Sequence, residues 1–382
     1  MVLFLHNRYR TTGGEERVVT DLMALVRDEL GEPVSLLGRD SAVTGPAAAA
    51  LGLLRGGLDP GEVEAAVRRE GARIVHAHNL LPGLGWRSLA AARRAGARVV
   101  LHLHQYRLVC AVGVCFTDGE ECTRCHGRNT LPGVLRNCRG SRAEALAYGA
   151  SLALWQRRLV AAADVVVVPS RFAAARLGAL GAPLPHAPCV LAPPVEPGPQ
   201  LAPDPSGPAL VVSRLAPEKG VDVAIEACRI ARRPLRIAGD GPERERLEAQ
   251  ARGADVSFLG AVAAERLAEL RAGAALALVP SRSAETFGIA AAEAMAAGLP
   301  VAASRVGALP ELVPGDWLVP AGDPAALALA IDRLAGDAEA GELGRRRVEQ
   351  LCSPRTVAAG LREVYARASG AQGAGAAPAD PS

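Results

Sequence analysis

Aromatic residues are nearly missing from this chain: only 3% of its 382 residues are Phe, Trp or Tyr. That scarcity argues against base stacking on exposed rings, and leaves Ala, Leu and Val to fill the interior. An excess of one charge is missing too. The 43 Lys and Arg against 40 Asp and Glu leave +3, too little to point to nucleic acid by itself. No uncharged apolar run reaches the roughly 18 residues of a membrane span. The start, MVLFLHNRYR, is too short and too soon charged for a signal peptide, so the chain reads as cytoplasmic. Its eight cysteines are then expected to be reduced or metal-bound rather than disulfide-linked. Two motifs are also absent. Without G-x-G-x-x-G a dinucleotide-binding turn has little support, and without Asp-x-Asp one common way of holding a metal at a diphosphate is unavailable.

What is present suffices for two cores, since 49% of residues are hydrophobic. Strands and helices alternate from the start, which argues for a parallel α/β sheet. Val2–His6 reads as a strand, Arg8–Gly14 as a polar loop and Glu15–Leu30 as a helix with apolar Val18, Val19, Leu22, Leu25 and Val26 in helical period. Gly13 and Gly14 would let backbone approach a bound phosphate or acceptor; the plainer reading is a flexible turn. Further units are strand Pro33–Gly38, helix Pro60–Glu70, strand Arg73–His78, helix Gly83–Ala95 and strand Arg98–His104. His102 and His104 share one face of their strand, and His76 and His78 read as lining or packing. Helix Ser141–Val160 carries Trp155 and the pair Arg157-Arg158, more simply a solvated face than a partner site. Strand Asp164–Ser170, helix Arg171–Gly181 and strand Cys189–Leu191 complete this half.

Between Leu108 and Gly140 five cysteines crowd together. Cys122-Thr-Arg-Cys125 is a C-x-x-C knuckle flanked by Cys110 and Cys138, with Cys115 supernumerary. Four thiolates at 110, 122, 125 and 138 would close a structural zinc site or ligate an iron–sulfur cluster. Reduced thiols packed as small apolar groups, or a disulfide, remain alternatives.

The proline-rich stretch Ala192–Pro208 reads as a linker. Beyond it, strand Ala209–Ser213 leads into Arg214, Glu218-Lys219-Gly220 and a helix from about Val221 to Ala231. Two cations five apart over a helix start suit a diphosphate: a guanidinium fork, a mobile ammonium and the helix N–H groups. Strands Pro234–Gly239 and Val256–Gly260 follow. The densest signal is Ser281–Pro300: an apolar strand, a polar turn, Phe287, Gly288 and Ile289, an alanine-rich helix and a Gly-Leu-Pro stop. Such a helix start can hold phosphate, and Glu285 and Glu293 can accept hydrogen bonds from sugar hydroxyls. Three helical stretches end the chain, Pro324–Leu334, Glu339–Leu351 and Pro354–Ala368, before a Gly/Ala/Pro tail expected to be disordered.

Two glutamates separated by seven residues, with Arg214-x4-Lys219, resemble the signature of family 4 glycosyltransferases. The resemblance implies a GT-B fold of two Rossmann-like domains whose parallel sheets face each other across a cleft. The expected parts are an acceptor domain 1–191 with the cysteine loop 108–140, a linker 192–208, a nucleotide-sugar domain 209–351, a helix 352–369 crossing back, and a tail 370–382. It also implies transfer of a sugar, with retention, from a nucleoside diphosphate. A UDP-sugar comes first, although the choice between uracil and guanine stays open. The acceptor would be a hydroxyl of a glycan, a lipid-linked glycan or a small metabolite, with peripheral membrane contact included and nucleic acid excluded. Arg214 and Lys219 would neutralise the leaving diphosphate, so that catalysis needs no cofactor. Glu285 and His104 would reach the donor sugar, Glu293 the ribose, and the backbones of Gly239 and Leu259 the base; Gly307, Leu309 and Glu311 match a further pocket loop. Tyr106-Arg107-Leu108-Val109-Cys110 and Arg139-Gly140-Ser141 resemble a subgroup pattern. The competing readings are a nucleotide-sugar isomerase, a phosphorylase, and a non-catalytic binding platform with a zinc module.

Overall fold

The computed structural model describes residues 1–10, 13–185 and 187–370. Its first sheet contains β1 (Val2–Arg8), β2 (Val34–Asp40), β3 (Ile74–Ala77) and β4 (Arg98–His102). After a two-stranded hairpin, β5 (Phe116–Thr117) and β6 (Glu120–Glu121), it is completed by β7 (Val165–Val168) and β8 (Cys189–Val190). The strand order is β2-β1-β3-β4-β7-β8, with every pairing parallel. The second sheet contains β9 (Ala209–Val212), β10 (Leu235–Ala238), β11 (Val256–Gly260), β12 (Leu276–Val279), β13 (Val301–Ser304) and β14 (Leu318–Val319). Its order, β11-β10-β9-β12-β13-β14, is the doubly wound Rossmann arrangement. These are two Rossmann-like domains with parallel sheets, as the resemblance implied.

Strands such as β7 (VVVV) and β12 (LALV) are buried along their whole length, because helices cover both faces of a parallel sheet. This is why they read as continuous apolar runs. In each sheet the winding reverses once, between β1 and β3 and between β9 and β12. At such a reversal neighbouring loops diverge and leave a crevice at the carboxyl ends of the strands.

Several expectations need adjusting. The strand expected over Arg98–His104 ends at His102. Two helices without a clear apolar stripe went unforeseen, Pro46–Arg55 and Ala264–Ala272. The first is an alanine and leucine run between Pro46 and a left-handed Gly56; the second buries only Leu270. Segment 192–208 lacks regular structure yet is not a free tether. Val195, Leu201 and Asp204 donate their amides to the carbonyls of Cys352, Ala297 and Ala274 at 2.9–3.0 Å, and Val195 is buried. Helix Pro354–Ala368 packs Val357, Leu361, Val364 and Tyr365 against Val2, Phe4, Val18 and Val100 of the first domain. The tail expected to be disordered lies, from 371 onward, outside the described residues.

Candidate functional site

The carboxyl ends of both sheets border one cleft of about 1870 Å³. On the second domain's side the loops after β9 and β12 meet over the reversal point. Lys219 Nζ lies 2.7 Å from Glu285 Oε1, and Ser281 Oγ donates to the same oxygen at 2.6 Å. Burial pushes the Glu285 carboxyl upward, but the Lys219 charge and these two hydrogen bonds outweigh it and hold the group below the usual carboxylate range. Arg214, about half exposed, pairs with Glu218 one helical turn on.

Two glycines make this crowding feasible. A Cβ on Gly220, at φ +63°, would sit 2.1 Å from the Pro280 carbonyl, so only glycine lets the Lys219 loop lie against the end of β12. A Cβ on Gly307, at φ +58°, would meet the Glu285 amide at 2.2 Å. Gly288, at φ +105°, turns the chain into the helix Ile289–Ala296, and Gly288, Ile289 and Ala290 line the cleft that Lys219 also borders.

The other wall belongs to the first domain. Tyr9 donates to Glu15 Oε2 at 2.7 Å, Gln105 Nε2 lies 3.3 Å from both, and Arg107 rests 4.9 Å over the Tyr9 ring. Burial first, then the Glu15 charge, raise the Tyr9 phenol well above its ordinary value. Deeper in this wall His104 Nε2 meets His78 Nδ1 at 2.8 Å, within a stack of imidazoles.

The two walls are tied together. Thr286 Oγ1 donates to the His104 carbonyl at 2.9 Å, Ser170 Oγ to the Thr286 carbonyl at 2.7 Å and Tyr106 Oη to the Ala284 carbonyl at 3.0 Å. The Glu311 carboxylate accepts from the amides of Arg171 and Phe172 at 3.1 and 2.5 Å, where helix Arg171–Ala179 of the first domain begins. Arg17 of the first domain reaches Glu293 of the second at 2.6 Å.

Two family profiles match the chain in tandem, the "Glycosyl transferase 4-like domain" over residues 7–194 and "Glycosyl transferases group 1" over 208–337. The chain belongs to the family 4 glycosyltransferases. A GDP-mannose-dependent alpha-(1-6)-phosphatidylinositol dimannoside mannosyltransferase of Mycobacterium tuberculosis is 37% identical over 166 residues, 41% of this chain and 43% of that protein. The matched stretch spans less than half the length of the curated relatives that lead the comparison. Among solved structures, sucrose-phosphate synthase from Thermosynechococcus elongatus aligns with a TM-score of 0.68 at 21% identity, over 97% of this chain and all of that one. Anabaena HepE in complex with UDP and glucose aligns at 0.62 and 17% identity, over 96% and 99%. At those identities the likeness concerns the GT-B fold. Among the described residues no helix is long and apolar enough to cross a membrane.

For this family member the cleft brings together Arg214, Lys219, Glu285, His104, Gly13, Gly14, Gly239, Phe287, Gly288, Ile289 and Glu293. Leu259 is the exception. Strand β11 runs on to Gly260, so Leu259 still packs against the core, and it is Ala261 and Val262 that reach the cleft. Glu293, expected to take the ribose hydroxyls, has both oxygens engaged: one accepts from Arg271 and the other from Arg17, each at 2.6 Å. The four cysteines offered as zinc ligands do not form a closed set. Among the described residues only His76, His78 and His102 bring three ligand atoms within 4.8 Å of one another. Cys125 Sγ is instead 3.9 Å from the Thr130 carbonyl and Cys138 Sγ 4.0 Å from Thr117 Oγ1. A hydrogen bond from Cys115, counted as supernumerary, lowers the Cys110 thiol below its ordinary value.

The sequence reading passed over Ser281, Arg17, Arg271, Tyr9, Glu15 and Gln105, whose positions depend on contacts between distant segments. It also passed over a signal in plain view. Lys219 is the only lysine in a chain whose other cations are all arginine. An ammonium kept where every other position takes guanidinium marks a place that needs a compact, mobile charge.

Proposed function

We propose that the protein moves a sugar, with retention of anomeric configuration, from a nucleoside diphosphate to an acceptor hydroxyl. The observation that carries this reading is the meeting of Arg214, Lys219 and the start of helix Ile289–Ala296 with Glu285, on the two sides of the β9/β12 reversal. Cleavage of the anomeric bond leaves extra charge on the departing diphosphate. Lys219 and Arg214 would meet that charge together with the helix N–H groups, without a metal. Arg214, half exposed, can swing from Glu218 to a phosphate. Glu285, kept ionised, would accept from donor-sugar hydroxyls while it holds the Lys219 ammonium in place. Glu293 would take ribose hydroxyls in place of one of its two arginines.

Attack from the same face as departure fits a site in which Glu285, the carboxylate assigned to the donor sugar, is already engaged by Lys219 and Ser281. The acceptor O–H attacks the anomeric carbon as the bond to the phosphate breaks, and its proton passes to the departing phosphate oxygen. His104 would border the sugar, and Glu15 with Tyr9 the acceptor. A cleft near 1870 Å³ has room for donor and acceptor at once.

The donor is read as a UDP-sugar first, in line with the UDP held by HepE, with GDP-mannose, the donor of the mycobacterial relative, as its competitor. A membrane-bound acceptor is favoured by exposed Leu51 and Leu54 on helix Pro46–Arg55 and Leu146 and Leu154 on helix Arg142–Ala161, with exposed Arg55 and Arg157 beside them.

The test is a thermal-shift titration with UDP and GDP, then a panel of nucleotide sugars read by release of free nucleotide. A nucleoside diphosphate should stabilise the wild type and lose that effect on Lys219→Ala. Because the chain has one lysine, amine-directed labelling at residue 219 should also be blocked by the nucleotide that binds. Stabilisation by no nucleoside diphosphate, or labelling indifferent to it, would sink the proposal.

A further inference from the structure

Five of the seven histidines of this chain, His6, His76, His78, His102 and His104, gather in one place. They stand at the carboxyl ends of β1, β3 and β4 on one side of the first sheet, beneath helix Pro354–Ala368. The rings of His76 and His78 lie 4.6 Å apart, and those of His102 and His104 4.4 Å apart. The transfer reading calls on His104 alone. His76, His78 and His102 are no more than 3% exposed, where valine or leucine would pack at no polar cost.

Their polar atoms are only partly accounted for. His78 Nε2 is buried without a hydrogen-bond partner, as are both ring nitrogens of His6. One nitrogen from each of His76, His78 and His102 lies within 4.8 Å of the other two. His76 Nε2 and His102 Nδ1 are 3.3 Å apart. A tetrahedral zinc ion with Zn–N bonds of about 2.0–2.1 Å spaces its nitrogens by about that much. The remaining nitrogens of two rings are already held: His76 Nδ1 is 2.9 Å from Tyr365 Oη, and His78 Nδ1 is 2.8 Å from His104 Nε2. An outer partner on one nitrogen that leaves the other free for the ion is the arrangement that orients metal-binding histidines. Burial keeps these rings in the neutral form that ligates. Glu16, 3.9 Å from His6 Nε2, supplies negative charge at the edge of the cluster.

We propose that His76, His78 and His102 bind one zinc ion, with Tyr365 and His104 orienting two of the three rings. Among available ions zinc suits an all-imidazole set and brings no redox chemistry. The ion would fasten β3 to β4, and through the last helix it would link the C-terminus to the first sheet. Through His78 it would also fix the tautomer of His104, leaving Nδ1 of that ring for the cleft. This last consequence rests on the transfer reading; the metal site does not.

The test needs no assay of transfer. The full chain is loaded with zinc, passed through gel filtration in metal-free buffer, and its metal counted by mass spectrometry. One zinc per chain should be retained by the wild type and by Cys122→Ser/Cys125→Ser, and lost in His102→Leu. Cobalt loading of the wild type guards against a variant that fails to fold. Visible d–d bands without sulfur-to-cobalt charge transfer would support the histidine site. No retained metal, metal lost with the cysteines, or a sulfur charge-transfer band would each overturn it, while leaving the nucleotide titration of the previous subsection untouched.

Discussion

The two domains repeat one scaffold and fill it with opposite chemistry. At the reversal of the second sheet stand charges, each paired: Lys219 with Glu285, Arg214 with Glu218, and Glu293 with Arg17 and Arg271. At the reversal of the first sheet stand the stacked imidazoles of His76, His78, His102 and His104, with the His6 ring edge-on to His78. Burial, then the neighbouring rings, hold His78 and His102 far below the ordinary imidazole value. The difference lies in what covers each site. The loops of the second domain open into the cleft, where a charge keeps part of its solvation and needs only one good partner. The inner imidazoles of the first, His76, His78 and His102, are buried, with His76 held by Tyr365 of helix Pro354–Ala368, and an isolated charge there would be costly. The second domain therefore sets its charges openly in the cleft, whereas the first buries a neutral imidazole core behind cleft-lining Glu15 and Arg107.

The sharpest way to break this contrast is Lys219→Ala. If the ammonium meets the leaving group, kcat should fall by about a hundredfold or more, read by nucleotide release, as for other removed transition-state donors. Lys219→Arg should recover only part of that loss, because a planar fork cannot keep both Ser281-bound Glu285 and a phosphate. A loss below tenfold would move the chemistry elsewhere.

Glu16 tests the first wall. Burial raises its carboxyl, but His6 and the amides of Tyr9 and Gly13 more than reverse that and lower it from 4.5 to about 2. The folded value lies below the unfolded one, so the stabilisation is complete above pH 4.5 and disappears as the pH falls towards about 2. Glu16→Gln should cost up to about 3 kcal/mol at pH 7, by denaturant unfolding, and the gap should close in acid. A gap independent of pH would show that packing, not charge, holds the β1 loop.

Contacts between the walls should matter less. Glu311→Ala leaves the Ser170 cap of helix Arg171–Ala179 but removes the acceptor of its first two amides, a change worth about 1 kcal/mol. If that contact favours the closed cleft, KM for the donor should rise roughly fivefold with kcat nearly unchanged, and small-angle scattering should show a larger radius. Smallest of all, Leu259→Ala should leave KM unaltered, whereas enlarging Val262, as in Val262→Phe, should raise it. An unchanged KM in Val262→Phe would take the base away from Val262.

Much of the second domain was legible because its signals are local. A wholly apolar strand, a left-handed glycine and a short polar loop fix the position of Glu285 within a dozen residues. Where local pattern was weak, reading failed. Helices Pro46–Arg55 and Ala264–Ala272 expose or lack the apolar stripe on which period analysis depends. Leu259 lies short of the cleft although its strand was read with the right ends, because which residues of the following turn face the cleft depends on how that turn packs. Tyr9, Glu15 and Gln105 meet only when residues ninety or more positions apart are folded together.

The chain by itself determined the alternation of strands and helices, the two parallel sheets and the loops that carry Arg214, Lys219 and Glu285, since burial and backbone geometry act over a few residues. Only the tertiary structure decided that Glu293 would be clasped by two arginines, that Cys110 would turn to Cys115, and that five histidines would gather in one cluster. Those outcomes depend on which strands become neighbours and which helix covers them, and hydrogen bonds and charge act there across distances that sequence spacing does not record.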